Sequence, residues 1–339
     1  MKALLIKSGL NGIYPFLEDA LQASWAAIGH NMKSLSLSTF NTSSDQLFDH
    51  FDLVLMLGGF GVHPKKLLAS SGRRARTAIW QTEDPFYIED SLKLLPVVDH
   101  LFSVDEGAQR YYRSKGFNHT SFLPLGTFRS VFHPRQSDAS LSADLLLIGY
   151  PYPNRLHLIR CVLNRTRYYV TVAGKGWYNA LTKRFRHHPR LNIINRWLTP
   201  EEAARRYCNA RVVLNPHRSA EFPLNKNRPG VPGLSLNNRT FDVAACRAFQ
   251  LVDRPLTKAS GFTDDELITY ASTADGVKKI DYFLNHPAQR ARIAEKAWQR
   301  VIQEHLMSDR AASIVRTMAD TGSSETQTTE KAGKSKPVA

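Results

Sequence analysis

Short apolar runs alternate with stretches of helical spacing along most of this chain, and the alternation starts over once. Residues 3–6, 52–57, 77–80, 100–104 and 122–125 are runs of four to six mostly apolar residues, the length of a strand and too short for a helix with a core face. Between them, residues 14–28 set Phe16, Leu17, Ala20, Leu21 and Ala27 at helical spacing, and residues 106–115 read as a second helix. Strand, helix and strand repeated in this way predict a parallel sheet covered on both faces. A polar stretch through residues 132–142 interrupts the pattern, which then restarts. Strands are expected at 144–148, 168–172, 192–194, 210–215 and 249–252. Helices are expected at 156–163, from Thr199 onward, at 240–247, at 276–284, and at 288–305 with a continuation to about residue 318. The fold class is therefore α/β, with one unit over residues 1–139 and a second over 140–320. Residues 321–339 are rich in Ser, Thr, Gly and Lys, lack any aromatic residue, and are expected to be disordered.

A chain of 339 residues with 42% hydrophobic content can bury two cores of this kind. Cys161, Cys208 and Cys246 are odd in number and far apart, so they form neither a disulfide framework nor a C-x-x-C pair. A reduced compartment fits them. The first apolar run is too short for a signal peptide, and no stretch approaches the length of a membrane span. The expectation is a soluble cytoplasmic protein, with a peripheral contact to an anionic membrane face as a candidate association.

The formal net charge is +15, and it is unevenly placed. Residues 1–139 carry 14 Lys and Arg against 13 Asp and Glu, whereas residues 140–320 carry 28 against 15. Within residues 155–247 the imbalance is 18 to 4. The anion-seeking surface thus belongs to the second half, and its partner is a phosphorylated small ligand, a nucleic acid or an anionic membrane. No basic-aromatic nucleic-acid motif accompanies the charge, so a nucleic-acid partner is not expected.

Ligands of parallel sheets bind beyond strand ends, and several polar clusters stand there. Gly9-Leu10-Asn11-Gly12 follows the first strand without the G-x-G-x-x-G spacing of a dinucleotide site. Thr82-Glu83-Asp84-Pro85-Phe86 puts two carboxylates after another; they could act as base or orient a sugar hydroxyl, or simply serve the first turn of a helix with Pro85 at its start. Gly174-Lys175-Gly176-Trp177 could offer backbone N–H groups and one ammonium to a phosphate, although it is not a Walker loop. His217-Arg218 ends a further strand and is a candidate anion contact. The densest cluster is Asn237-Asn238-Arg239-Thr240-Phe241-Asp242, preceded by the loop Pro229-Gly230-Val231-Pro232-Gly233. Asn237 or Asn238 would cap a helix starting near Arg239, whose N-terminus and guanidinium suit a diphosphate. Asp242, one turn in, could accept from vicinal ribose hydroxyls. No Asp-x-Asp metal motif and no zinc spacing occurs, and no metal or cofactor is expected.

The segment from Ser235 to Asp242, followed by Ala245-Cys246-Arg247-Ala248-Phe249-Gln250-Leu251-Val252, resembles the donor-site segment of CgeB-like glycosyltransferases. These belong with the two-domain GT-B enzymes related to glycosyltransferase families 1 and 4. Thr82 to Phe86, Leu123-Pro124-Leu125-Gly126 with Phe132-His133-Pro134, Leu147-Ile148-Gly149 with Asn154-Arg155, and Gly174 to Trp177 agree in order and spacing, as does the pattern from Tyr282 to His305. The resemblance spans roughly residues 77–315. Asp242 stands where the family usually carries Glu, and Arg247 where it usually carries Gly.

The resemblance implies two Rossmann-like domains facing a cleft. It implies a nucleotide-sugar donor, most often a UDP-sugar, on the C-terminal domain, and an acceptor (a glycan, lipid-linked sugar or protein) on the N-terminal one. The last helices are expected to pack back on the N-terminal domain. The donor-side candidates are Gly149, Arg155, Gly174, Lys175, His217, Arg218, Asn237, Asn238, Arg239, Thr240 and Asp242; Glu83 and Asp84 are the acceptor-side catalytic candidates. The expected activity is metal-independent hexosyl transfer, because basic groups and a helix dipole can stabilise a departing diphosphate. An epimerase on the same architecture, and a non-catalytic nucleotide-sugar or polyanion binder, are the alternatives.

Overall fold

The protein is described from a computed structural model covering residues 1–59, 61, 66, 67 and 74–332, with backbone alone for 321–332. The first half forms β1 (Lys2–Lys7), β2 (Asn31–Ser36), β3 (Leu53–Leu57), β4 (Arg76–Gln81), β5 (His100–Ser103) and β6 (Thr120–Phe122). They pair in the order β2-β1-β3-β4-β5-β6, every pair parallel. The second half forms β7 (Ala143–Ile148), β8 (Val170–Ala173), β9 (Leu191–Ile194), β10 (Ala210–Asn215), β11 (Gln250–Val252) and β12 (Ile268–Thr269). Their order is β12-β11-β10-β7-β8-β9, again all parallel.

The described helices of the first half are α1 (Tyr14–Ala27), α2 (Leu37–Thr42), α3 (Ile88–Leu94) and α4 (Glu106–Ser114). Those of the second are α5 (Pro153–Arg165), α6 (Trp177–Ala180), α7 (Lys183–Arg186), α8 (Pro200–Asn209), α9 (Asn238–Ala245), α10 (Thr273–Asn285) and α11 (Pro287–Glu304), and α12 (Met307–Ala332) is the last described element. Apolar strands such as β3, buried at all five residues, need cover on both faces. Leu5, Leu17 and Trp25 pack on one face of the first sheet, and Phe40, Ile88 and Tyr112 on the other. In the second sheet Leu158, Trp177 and Phe283 cover one face, and Tyr207, Phe241 and Val301 the other. Thr199 heads α8 at the helix start expected there, and Glu202 closes a full capping box.

Three local expectations change. β2 is an additional strand: it lies at the sheet edge with only Met32 buried, so it lacks the apolar run that marks the others. β12, two residues long at the opposite sheet's edge, is also additional. The expected helix through residue 318 is broken, because α11 ends at Glu304, Leu306 forms a parallel bridge to Thr127, and α12 starts afresh. Met307, Ala311, Ile314 and Met318 of α12 join the core of the first sheet, so the chain does return to its N-terminal half. α12 continues to Ala332, within residues 321–339 for which composition gives the expectation of disorder. Residues 333–339 of that expected tail lie outside the described residues. Among the described residues, no helix is long and apolar enough to cross a membrane.

Candidate active site

In the second sheet the chain runs outward from β7 to β8 and β9, then returns to β10 on the other side of β7. Such a reversal opens a crevice beyond the carboxyl ends of the two central strands. Residues following strand ends in both sheets line one cleft there, of about 480 Å³. The second half contributes Gly149 after β7, Gly174 and Lys175 after β8, Arg218 after β10, and Asn237, Asn238, Arg239 and Asp242. The first half contributes Thr82, Glu83 and Asp84 after β4 and Asp105 after β5.

Two glycines set the floor. Gly149 and Gly174 have φ of +144° and +142°. A Cβ on Gly174 would stand 2.3 Å from the Gly149 carbonyl oxygen, and one on Gly149 would stand 2.6 Å from Arg155 Nη1 and 3.0 Å from Arg239 Nη2. A side chain on Gly174 would strike the Gly149 backbone, and one on Gly149 would have to displace two guanidiniums, so the glycines permit the close approach of the strand-end turns and the two arginines. Lys175 lies exposed at the cleft wall.

Asn237 caps α9: its Oδ1 accepts from the Thr240 N–H at 3.1 Å. The N–H groups of the next two residues have no partner within the helix, and Asn238 and Arg239 both face the cleft. Arg239 Nη1 donates to Asn215 Oδ1 at 2.9 Å, which aims the guanidinium from a fixed base. Asp242 is 8% exposed and lines the cleft. Thr127 Oγ1 donates to its Oδ1 at 2.9 Å, and its Oδ2 makes no hydrogen bond within the described residues. Burial pushes the Asp242 carboxyl up to about 7, against the pull of Thr127 and Arg239.

Other candidates prove to be supports. His217 accepts at Nε2 from the Asn237 N–H (3.0 Å), and its Nδ1 bonds to Asp253 Oδ1 (2.8 Å). Both ring nitrogens are used in bracing the α9 cap, and burial lowers its pKa; direct anion contact by this side chain is not what the geometry offers. Arg155 donates from Nε and Nη2 to the Pro216 carbonyl and from Nη1 to that of Tyr150. Burial in the company of Arg239 lowers it to about 9, so it ties strand-end loops together rather than reaching out. The Thr240 hydroxyl is fully buried and accepts from Asn215 Nδ2 at 3.0 Å. Asn215 joins Asn237, Thr240, Arg239 and Gln250 into one network. As the polar residue that follows the buried apolar Val212, Val213 and Leu214 of β10, it was visible in sequence only as a strand terminus.

On the opposite wall the two acids part ways. Asp84 accepts from Ser91, Ser103 and Tyr112 hydroxyls and is 4% exposed. Burial holds it at about 6, and these three donors occupy it as a structural carboxylate, not a free base. Glu83 stays in the cleft, its Oε2 3.7 Å from Arg218 Nη1. Burial raises its pKa, with Arg218 opposing. Arg218 is itself held among the rings of Phe86, Tyr87, Tyr152 and Phe222, at 4.8 to 5.6 Å, so it bridges the halves. Pro85 precedes α3 without opening it, since that helix begins at Ile88.

Asp105, Thr127 and Arg254 were not singled out from sequence. Asp105 caps α4 through Oδ1 and accepts at Oδ2 from the N–H groups of Leu234 (2.8 Å) and Ser235 (2.9 Å). Arg247 stays out of the cleft. It takes φ +55° at the end of α9, where the N–H groups of Arg247 and Ala248 bond to Ala244 and Val243 carbonyls in a Schellman ending. Its side chain turns to Glu295 and lies 5.9 Å from the Trp298 ring centre. A glycine at this position would adopt the left-handed backbone without strain.

Residues 155–316 match a family described as glycosyl transferase-like. The chain is 31% identical over 318 residues to the spore protein CgeB of Bacillus subtilis (strain 168), an alignment spanning 93% of this chain and 98% of that one. Among solved structures, HepE from Anabaena, determined with UDP-glucose, superposes with a TM-score of 0.66 at 12% identity over 94% of this chain and all of its own. A glycosyltransferase from Rickettsia africae gives 0.66 at 10% identity, covering 94% of this chain and 98% of that protein. Sequence identity over nearly the full length, two parallel six-stranded sheets and a cleft between them place this chain in the CgeB-like family of glycosyltransferases with the GT-B fold.

Proposed function

We propose that the protein moves a hexosyl group from a UDP-sugar to an acceptor hydroxyl, with residues 140–320 as the donor side and residues 1–139 as the acceptor side. The observation that carries this reading is the convergence of the α9 N-terminus, Arg239 and Asp242 on one crevice wall. A diphosphate needs cationic and N–H partners, and a ribose needs an acceptor carboxylate. HepE, which shares the fold, was solved with UDP and with UDP-glucose, which supports the uridine nucleotide.

In the reaction, the bond from the anomeric carbon to the β-phosphate oxygen breaks while the acceptor oxygen bonds to that carbon and gives up its proton. Arg239, Lys175 and the first N–H groups of α9 meet the charge growing on the departing diphosphate, which is the stabilisation that makes metal-independent transfer reasonable. Glu83, raised by burial and facing the cleft from the first half, is assigned to receive the acceptor proton.

Calorimetry with UDP, GDP and ADP, followed by a UDP-release assay across UDP-sugars with and without EDTA, tests this. Heat with UDP and release that survives chelation are expected. A folded protein giving no heat with any of the three nucleotides refutes the donor site, and loss in EDTA restored by Mg²⁺ refutes metal independence. Consumption of a UDP-sugar into its epimer, without UDP release, would mark an epimerase.

A further inference from the structure

The chain passes between its two halves twice, and both passages meet at Thr127. On the way out, the segment after β6 carries Gly126 and Thr127. On the way back, residues 305–307 join α11 to α12. The Thr127 N–H donates to the His305 carbonyl at 2.9 Å, and the Thr127 carbonyl accepts from Met307 N–H at 2.8 Å. A Cβ on Gly126 would stand 2.7 Å from the Leu306 carbonyl carbon, so the two strands touch along their backbones.

This crossing is fastened to α9 at two adjacent residues. Thr127, 1% exposed, donates its hydroxyl to Asp242. His305 lies over Phe241, 4.9 Å between ring centres, and stacks on Phe262 at 5.3 Å. Arg310 of α12 holds His305 Nδ1 at 2.7 Å and reaches the Glu304 carbonyl. The helix whose first turn faces the donor crevice is therefore tied, at its middle, to the two segments about which the halves would turn.

We propose that Thr127 is a positioning residue that orients the Asp242 carboxylate toward the donor ribose and couples nucleotide binding to the relative placement of the two halves. The proposal rests on the donor reading above. With Oδ1 occupied by the Thr127 hydroxyl, Oδ2 is the oxygen directed to the ligand, and a ribose drawing on it pulls on α9 and on the crossing together. A hydroxyl donated to a carboxylate is strong enough to fix its rotamer.

Full-length Thr127→Val and Thr127→Ser test it, read by calorimetry with UDP and 2′-deoxy-UDP and by small-angle scattering with and without UDP. Wild type is expected to become more compact with UDP. Thr127→Val should bind UDP on the order of tenfold more weakly, lose less for 2′-deoxy-UDP, and compact less. Thr127→Ser should stay within about twofold of wild type. Thr127→Ala removes the same hydroxyl should valine prevent folding. In an Asp242→Asn background the valine should add no further loss. A folded hydroxyl-free variant that binds UDP as wild type does overturns the proposal alone. A wild type that binds no nucleotide overturns the donor reading and this proposal with it.

Discussion

Replacing Asp242 by Asn should raise stability while weakening nucleotide binding, and the two effects can be separated by pH. In the folded protein burial holds this carboxyl at about 7, against an ordinary value of 3.8. Folding therefore takes up a proton between those values, and stability attributable to this group falls as pH climbs from about 4 to 7, then levels. Three units at 1.36 kcal/mol each make the penalty about 4 kcal/mol above pH 7. About 2–3 kcal/mol of it develops between pH 5 and pH 8. Asparagine keeps the shape and still accepts from Thr127, but has no charge to bury. Urea unfolding without nucleotide should thus show a stability difference, Asp242→Asn minus wild type, that is small at pH 4 and grows to pH 8. Titrations of other groups cancel in that difference. Over the same preparations, UDP affinity at pH 8 should drop by about 1.5–3 kcal/mol, the loss of a hydrogen bond to a charged acceptor, and by less for 2′-deoxy-UDP. A difference in stability that is flat from pH 5 to 8 would refute the buried, proton-loaded carboxyl. Unchanged UDP affinity would move the ribose elsewhere.

Arg239→Ala should weaken UDP binding by about 1.5–3 kcal/mol, or roughly ten- to a hundredfold, by calorimetry; an unaltered affinity would remove it from the diphosphate. Glu83→Gln should lower kcat by about two orders of magnitude or more with little change in UDP affinity, the pattern of a lost proton acceptor; a full-rate variant would free that role for another group. Arg247→Gly should change stability by no more than about 1 kcal/mol, because glycine relieves the positive φ while the ion pair to the half-buried Glu295 is lost. Its UDP affinity should equal wild type, and a loss would mean that Arg247 touches the donor.

The features legible in the residues alone are those that depend on local physics. Strands buried on both faces had to be continuous apolar runs, so β1, β3, β4, β7 and β10 were each readable, and their alternation with helices implied parallel sheets. A cap at Asn237 or Asn238 and a helix start at Thr199 were readable because a helix start is satisfied by its own neighbours; the structure takes Asn237. β2 escaped because an edge strand needs only one buried residue, and Met32 alone makes no pattern. The site divides along the same line. Its chemistry was readable as residue types at strand ends, yet which of those side chains remain free was decided by partners remote in sequence. Asp84 is consumed by Tyr112, 28 residues away, and Asp242 is held by Thr127, 115 residues away. His217 is consumed by Asp253, and Asp105 by the backbone of Leu234. Arg247 looked like a charge in the donor segment and is a left-handed residue turned toward α11. A carboxylate, imidazole or guanidinium is available to a ligand only if no buried donor or acceptor has claimed it, and burial compels such claims. That pairing is made when two sheets and their crossing segments close on one another, so it belongs to the tertiary structure and leaves no trace in local spacing.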